Sequence, residues 1–204
     1  AAVFCWLCGK IFPPGIAAIL TVTMWVVLTG GLHLDGLSDC CDGFFYAGTP
    51  EKRLQIMKDT HHGTFAVLGV CLTLLLKTAC IAGIAEKGNL MIFPLAAALG
   101  RLGILVMIRL PLANPNGMAA SLKRSIPPSA LWVGAVFPLL IALFLYSAGL
   151  PALLAAGALF FLVGRLALSK IGGINGDVLG LTVELTEVVV LMIPNLIFFN
   201  GTVE

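Results

Sequence analysis

Long uncharged runs alternate with short polar connections along most of this chain. Residues 16–31 contain no charged side chain, and similar runs recur down to the C-terminal end. Their lengths approach the 17 to 25 residues that cross a bilayer as a helix, a segment that satisfies its own backbone polar groups. The pattern predicts six helical spans, at about residues 15–32, 64–85, 90–110, 130–148, 152–168 and 178–199. A helix remnant over residues 1–11 precedes them and ends at Pro13-Pro14, because proline removes a backbone donor and clashes with the preceding turn. The expected fold class is therefore all-α. It is a polytopic transmembrane helix bundle in which residues 1–204 form a single integral membrane domain.

Composition strengthens that picture: 59% of the 204 residues are hydrophobic and 11% are charged, against about 25% charged in soluble domains. A net charge of +2 with scattered Lys and Arg gives no nucleic-acid footprint. Cys5 and Cys8 have C-x-x-C spacing but sit in an apolar helix without a second Cys or His pair, so they read as packing residues. The chain opens without an initiator Met and is apolar at once, which suggests that a natural N-terminal segment precedes Ala1.

Short connections make neighbouring spans antiparallel, and alternation then puts residues 33–63, 111–129 and 169–177 on one side. That side carries Lys52, Arg53, Lys58, Lys123, Arg124 and Lys170, against Lys10 and Lys87 opposite, so the positive-inside rule makes it cytoplasmic. A multi-pass protein of the cell (inner) membrane, in contact with the lipid bilayer, is the expected localisation.

Asp35, Asp39, Asp42, Asp59 and Asp177 fall on the same side, and Glu184 and Glu187 lie a few turns into the last span. Charges belong in loops, so convergence by itself describes a solvated face. Spacing separates the two readings. Intervals of four and three residues stack Asp35, Asp39 and Asp42 on one side of a helix, with His33 just upstream. Like charges so placed repel by a few tenths of a kcal/mol per pair, and more where water is scarce, unless a cation is bound. Oxygen donors without cysteine select a hard ion: Mg²⁺ first, Mn²⁺ next. A carboxylate-held Mg²⁺ usually shares its shell with substrate phosphates, which makes a phosphate-bearing substrate the economical expectation.

Candidate cations for that phosphate are Lys58, next to Asp59, and Arg101, which follows Gly100 inside a span. Arg101, Arg165 and the mid-span Lys77 could equally pair with glutamates to hold helices together. Gly172, Gly173, Gly176 and Gly180 surround Asp177 in a turn entering the last helix, where backbone N–H groups could meet a phosphate. The same glycines also fit a plain turn.

Four segments, TGGLHLDGLSDCCDGFF, RLQIMKDTHHGTF, PLANPNGMA and IGGINGDVLGLTVELTEVVVL, together resemble the cobalamin synthase family, the adenosylcobinamide-GDP ribazoletransferases, in order and interval. The resemblance implies transfer of the cobinamide phosphate from adenosylcobinamide-GDP to α-ribazole or its 5′-phosphate, releasing GMP, with Mg²⁺ as cofactor. With that chemistry in view, Asp35, Asp39 and Asp42 are the expected metal set, and Asp59 is a further ligand or the general base. His62 is a second candidate base, as is His61, and Lys58, Arg101, Gly173, Asp177 and Glu184 are expected to contact substrate. Oligomeric state is left open, a homo-oligomer included.

Two other readings compete. CDP-alcohol phosphotransferases carry D-x-x-D-G-x-x-A-R followed by G-x-x-x-D-x-x-x-D. Here Asp39-Cys40-Cys41-Asp42-Gly43 leads into Phe44-Phe45-Tyr46, and no aspartate lies between Gly63 and Asp177. A divalent-cation transporter would place acids near the bilayer midplane within inverted repeats, whereas these acids cluster at one face.

Overall fold

A computed structural model describes residues 1–200, with side chains through Ile197. The described residues form helices α1 (Ala2–Gly9), α2 (Pro14–Thr29), α3 (Leu32–Phe45), α4 (Pro50–Ile56), α5 (Thr64–Lys87), α6 (Ile92–Met107), α7 (Met118–Ser125), α8 (Ala130–Phe144), α9 (Tyr146–Ile171) and α10 (Gly176–Asn200). Each predicted span coincides with a helix, and the protein is an all-α bundle.

The spans are less uniform than hydropathy suggests. Among the described residues, α5 and α9 are by themselves long and apolar enough to cross a membrane. There are up to four crossings if the bent pairs α2 with α3 (91°) and α7 with α8 (90°) each count as one. At 16 residues, α2 and α6 reach about 24 Å, short of a hydrocarbon core of about 30 Å.

Two connections differ from expectation for local reasons. The first span stops at Thr29, because Gly30 and Gly31 both take left-handed backbone (φ 62° and 69°), a conformation costly for other residues. The chain there turns through 91° into α3, so α3 lies across the end of α2 rather than continuing it. The polar stretch after residue 33 thus begins as a helix. The second difference concerns Gly149 and Pro151, expected to separate two spans. The turn instead falls at Leu145, and α9 runs through Pro151. Gly149 serves packing: a Cβ there would stand 1.9 Å from the Ala142 carbonyl oxygen of α8.

At the centre lies α10, packed against α3, α5, α6 and α9, with Val178, Val183, Val190 and Leu191 wholly buried. By contrast, α8 exposes Trp132, Val133, Leu143 and Phe144, the outward apolar surface that a lipid-facing helix presents.

Candidate active site

Close backbone contact between α3 and α10 builds the site. A Cβ at Gly36 would lie 2.8 Å from the Asp177 carbonyl oxygen, and one at Gly180 would lie 3.0 Å from the His33 carbonyl oxygen. Two glycines at one crossing let the helices approach where any side chain would hold them apart. That contact brings Asp177 to the acidic face of α3. Burial first, and then the neighbouring Asp177 and Asp35 carboxylates, push Asp39 up to about 7. By itself α3 is not among the helices long and apolar enough to cross a membrane, and its polar face, turned across the end of α2, makes this a polar site.

Asp177 stands in the first turn of α10 without capping it. The cap is Asn175: its Oδ1 accepts from the Val178 N–H at 3.0 Å, and its Nδ2 donates to Asp177 Oδ2 at 2.8 Å. Asn175 therefore relieves Asp177 of capping and orients its carboxylate. Asparagine is among the strongest N-cap residues, and this one stood inside the quoted IGGINGDVLG motif.

Asp42 departs from the expected stack. Its carboxylate accepts from the Gly63 N–H (2.5 Å) and the Ala66 N–H (2.9 Å), so it caps the start of α5. Asp42 still stands near Asp39, and Asp177 of α10 joins Asp35 and Asp39 as a further carboxylate that spacing did not group with them. Among the described residues, no three His, Cys, Asp or Glu side chains stand as a ready cation cage. Asp39 and Asp177, both raised first by burial and then by neighbouring carboxylates, are nevertheless an oxygen donor set that fits Mg²⁺ held by one or two carboxylates plus phosphate oxygens.

Asp59 is at the surface: its side chain is 57% exposed and bonds His61 Nδ1 at 2.8 Å. The His61 backbone N–H, then its ring, hold Asp59 below the usual carboxylate range. His62 is nearer the cluster, with Nδ1 3.1 Å from the buried Ser38 Oγ of α3. Ser38 carried no signal in the sequence beyond lying between Asp35 and Asp39.

A cavity of about 540 Å³ opens beside the carboxylates, lined by Asp35, Lys58, Asn114, Asn175 and Asp177 among others. Lys58 is thus placed where a phosphate ligand could meet it. Gly173 is not: its α-carbon faces the backbone of Leu112 and Ala113, where a Cβ would come within 2.5 Å of Ala113 N. It lets the 172–174 turn pair with 111–113 through Ile174 N–H to Pro111 O (2.8 Å) and Ala113 N–H to Ile174 O (3.0 Å).

Glu184 and Arg101 belong to a different constellation. Lys77 Nζ donates to Glu184 Oε2 and Glu187 Oε2, each at 2.6 Å, and Arg101 bonds the other oxygen of Glu187. Lys77, Glu184 and Glu187 are each at most 5% exposed. Two cations and two anions tie α5 and α6 to α10, with Trp25 of α2 5.3 Å below the Lys77 ammonium. Glu184 does not line the cleft, and in the fold its carboxylate is engaged by Lys77. Arg165, the alternative partner, is exposed on α9.

A helix bundle whose polar end gathers carboxylates and a lysine around a cleft defines the class: an integral membrane enzyme scaffold suited to phosphate chemistry. Comparison of sequences gives the family. The chain belongs to the cobalamin-5-phosphate synthase family, whose profile matches residues 1–194. It is 40% identical over 184 residues to an adenosylcobinamide-GDP ribazoletransferase of Pseudomonas aeruginosa, covering 88% of this chain and 74% of that protein. Proteins of the same description from Stutzerimonas stutzeri (36% identity; 88% and 74% covered) and Acetivibrio thermocellus (34%; 92% and 77%) are also similar. No solved structure matches.

Proposed function

We propose that this protein transfers the cobinamide phosphate of adenosylcobinamide-GDP to α-ribazole or its 5′-phosphate, yielding adenosylcobalamin or its 5′-phosphate and GMP. A ribazole hydroxyl oxygen bonds to the corrinoid-side phosphorus. The bond from that phosphorus to the bridging oxygen breaks, GMP leaves with that oxygen, and the hydroxyl proton passes to a base. The convergence of Asp35, Asp39 and Asp177 beside a cleft that also holds Lys58 carries the reading. The family match favours it over phospholipid synthesis or cation transport.

In such a reaction positioning and charge neutralisation outweigh nucleophilic side chains. Asp39 and Asp177, with Asp35 beside them, are the residues that would hold Mg²⁺, or Mn²⁺ in its place. A hard cation bound there neutralises phosphate oxygens. Lys58 adds a cation on the same cleft. His62 is the better placed base, since Ser38 fixes its ring beside Asp35 while Asp59 is turned to His61 at the surface. The basic connections support placing this end of the bundle at the cytoplasmic face of the inner membrane.

The test is turnover by purified full-length protein in detergent, supplied with both substrates and read as GMP release and cobalamin formation. Turnover should be present with Mg²⁺, lost on chelation and restored by Mg²⁺ or Mn²⁺. Absence of cobalamin product with either metal overturns the assignment.

A further inference from the structure

Two cavities meet at Asp35, and it is the one residue common to both. The larger is the 540 Å³ cleft described above. The smaller, about 370 Å³, is bounded by Leu34, Val67, Val70 and Cys71, with Ser38 and His62 on its wall. Both volumes are in the range that encloses small organic ligands, about 300 to 1,000 Å³.

Both have largely apolar walls, and they differ in the polar groups they offer. The larger cleft offers the Lys58 ammonium, the amides of Asn114 and Asn175, and Asp177. Asn114 Oδ1 already accepts from the Asn116 N–H at 2.9 Å, which leaves its amino group to donate into the cleft. The remaining walls are largely apolar, from Leu54, Ile104, Met118, Leu122 and Leu179, so this is a cleft that encloses an organic ligand and meets its phosphate-bearing arm at Lys58 and the two amides. The smaller recess has aliphatic and thiol walls from α3 and α5, with one hydroxyl–imidazole pair as its polar corner. It suits a flat apolar ring bearing a few hydroxyls.

Resting on the function proposed above, we propose that the substrates reach Asp35 from opposite sides. The nucleoside-diphosphate arm of the corrinoid lies in the Lys58–Asn114–Asn175 cleft. The benzimidazole riboside lies in the Val67–Val70–Cys71 recess with its ribose at Ser38 and His62. This arrangement aims the attacking hydroxyl at the phosphorus from the side opposite the departing GMP, the in-line geometry of phosphoryl transfer. The hydroxyl proton then passes to His62, and GMP remains on the Lys58 side. It also separates two substrates that each carry a nucleoside, so that neither blocks the other.

Cys71 supplies a probe in the unmodified protein: it is exposed, whereas Cys5, Cys8, Cys40 and Cys80 are buried. Its alkylation by N-ethylmaleimide, followed by peptide mass spectrometry on the detergent-solubilised full chain, should slow at least about fivefold with saturating α-ribazole. GDP should leave the rate within about twofold, because a thiol is shielded by what occupies its own cavity. Protection by GDP instead of α-ribazole, or by neither, overturns the partition. Kinetics give an independent arm. Val70→Trp should raise KM for α-ribazole about tenfold or more with KM for adenosylcobinamide-GDP little changed, and Asn114→Ala should do the reverse. A common rise in both constants in either variant overturns the proposal. Wild-type protein that turns over the pair but shows the wrong protection refutes the partition alone, whereas wild-type protein without turnover refutes the reaction and the partition together.

Discussion

Gly36 and Asp177 stand in backbone contact: a Cβ on Gly36 would be 2.8 Å from the Asp177 carbonyl oxygen. That single approach sets how far the acidic face of α3 is from the carboxylate of α10. Gly36→Ala must therefore push the helices apart, since the obstacle is backbone and cannot swing away. We expect destabilisation of about 1 to 3 kcal/mol, typical of overpacking, and a turnover loss of at least about tenfold. Thermal unfolding and GMP release measured together check it; wild-type values for both would show that the crossing has slack.

Asp177→Asn and Asn175→Ala separate charge from capping. Asp177→Asn keeps a side chain that Asn175 can bond but removes negative charge, and it should lower turnover at least about tenfold, roughly 1.4 kcal/mol, with stability near wild type. Asn175→Ala removes the cap of α10 and should cost about 0.5 to 2 kcal/mol of stability. Full turnover in Asp177→Asn would return this segment to a structural role.

The interior ion network predicts a stability effect without a site effect. Lys77→Met leaves Glu184 and Glu187 buried with Arg101 as the remaining cation of the four, and breaking a buried pair typically costs about 3 to 5 kcal/mol. Adding Glu184→Gln to Lys77→Met should recover part of that loss, because net charge balance returns. Unfolding midpoints in detergent decide it. Turnover per folded molecule should stay close to wild type in the double variant, and a selective loss would bring Glu184 back to the substrate.

Asp39 gives a pH dependence with a definite sign. Its carboxyl titrates at about 7 in the fold against about 3.9 in an unfolded chain, so the folded state holds the proton more tightly. Its contribution to stability is complete below the unfolded value and is lost as pH rises through about 7. Protein stripped of divalent ions should thus melt lower at pH 8 than at pH 5, and Mg²⁺ should raise the melting point more at pH 8. Asp39→Asn should weaken both responses, leaving the contribution of Asp177, which burial pushes up to about 6, and an unchanged pH profile in that variant would place the titration elsewhere.

Much of the architecture could be read along the chain, because membrane helices are specified locally: an uncharged run of sufficient length has to be a helix in lipid. The six runs, the break at Pro13-Pro14 and the acidic face of α3 were visible as length, proline chemistry and spacing. The four family motifs likewise lie within continuous segments. What lay outside local pattern was which charges meet. Spacing grouped Asp42 with Asp35 and Asp39, but the start of α5 presents free N–H groups that only the folded chain brings to Asp42. For Glu184 the sequence left a substrate contact and a helix-tying ion pair both open, and only the fold shows that its cation is Lys77, 107 positions away. Asp177 reaches Asp39 only because Gly36 and Gly180 fall opposite each other at one crossing. Periodicity fixes the face on which a side chain stands; which face stands opposite is set by how the helices pack, and that depends on every surface in the bundle at once.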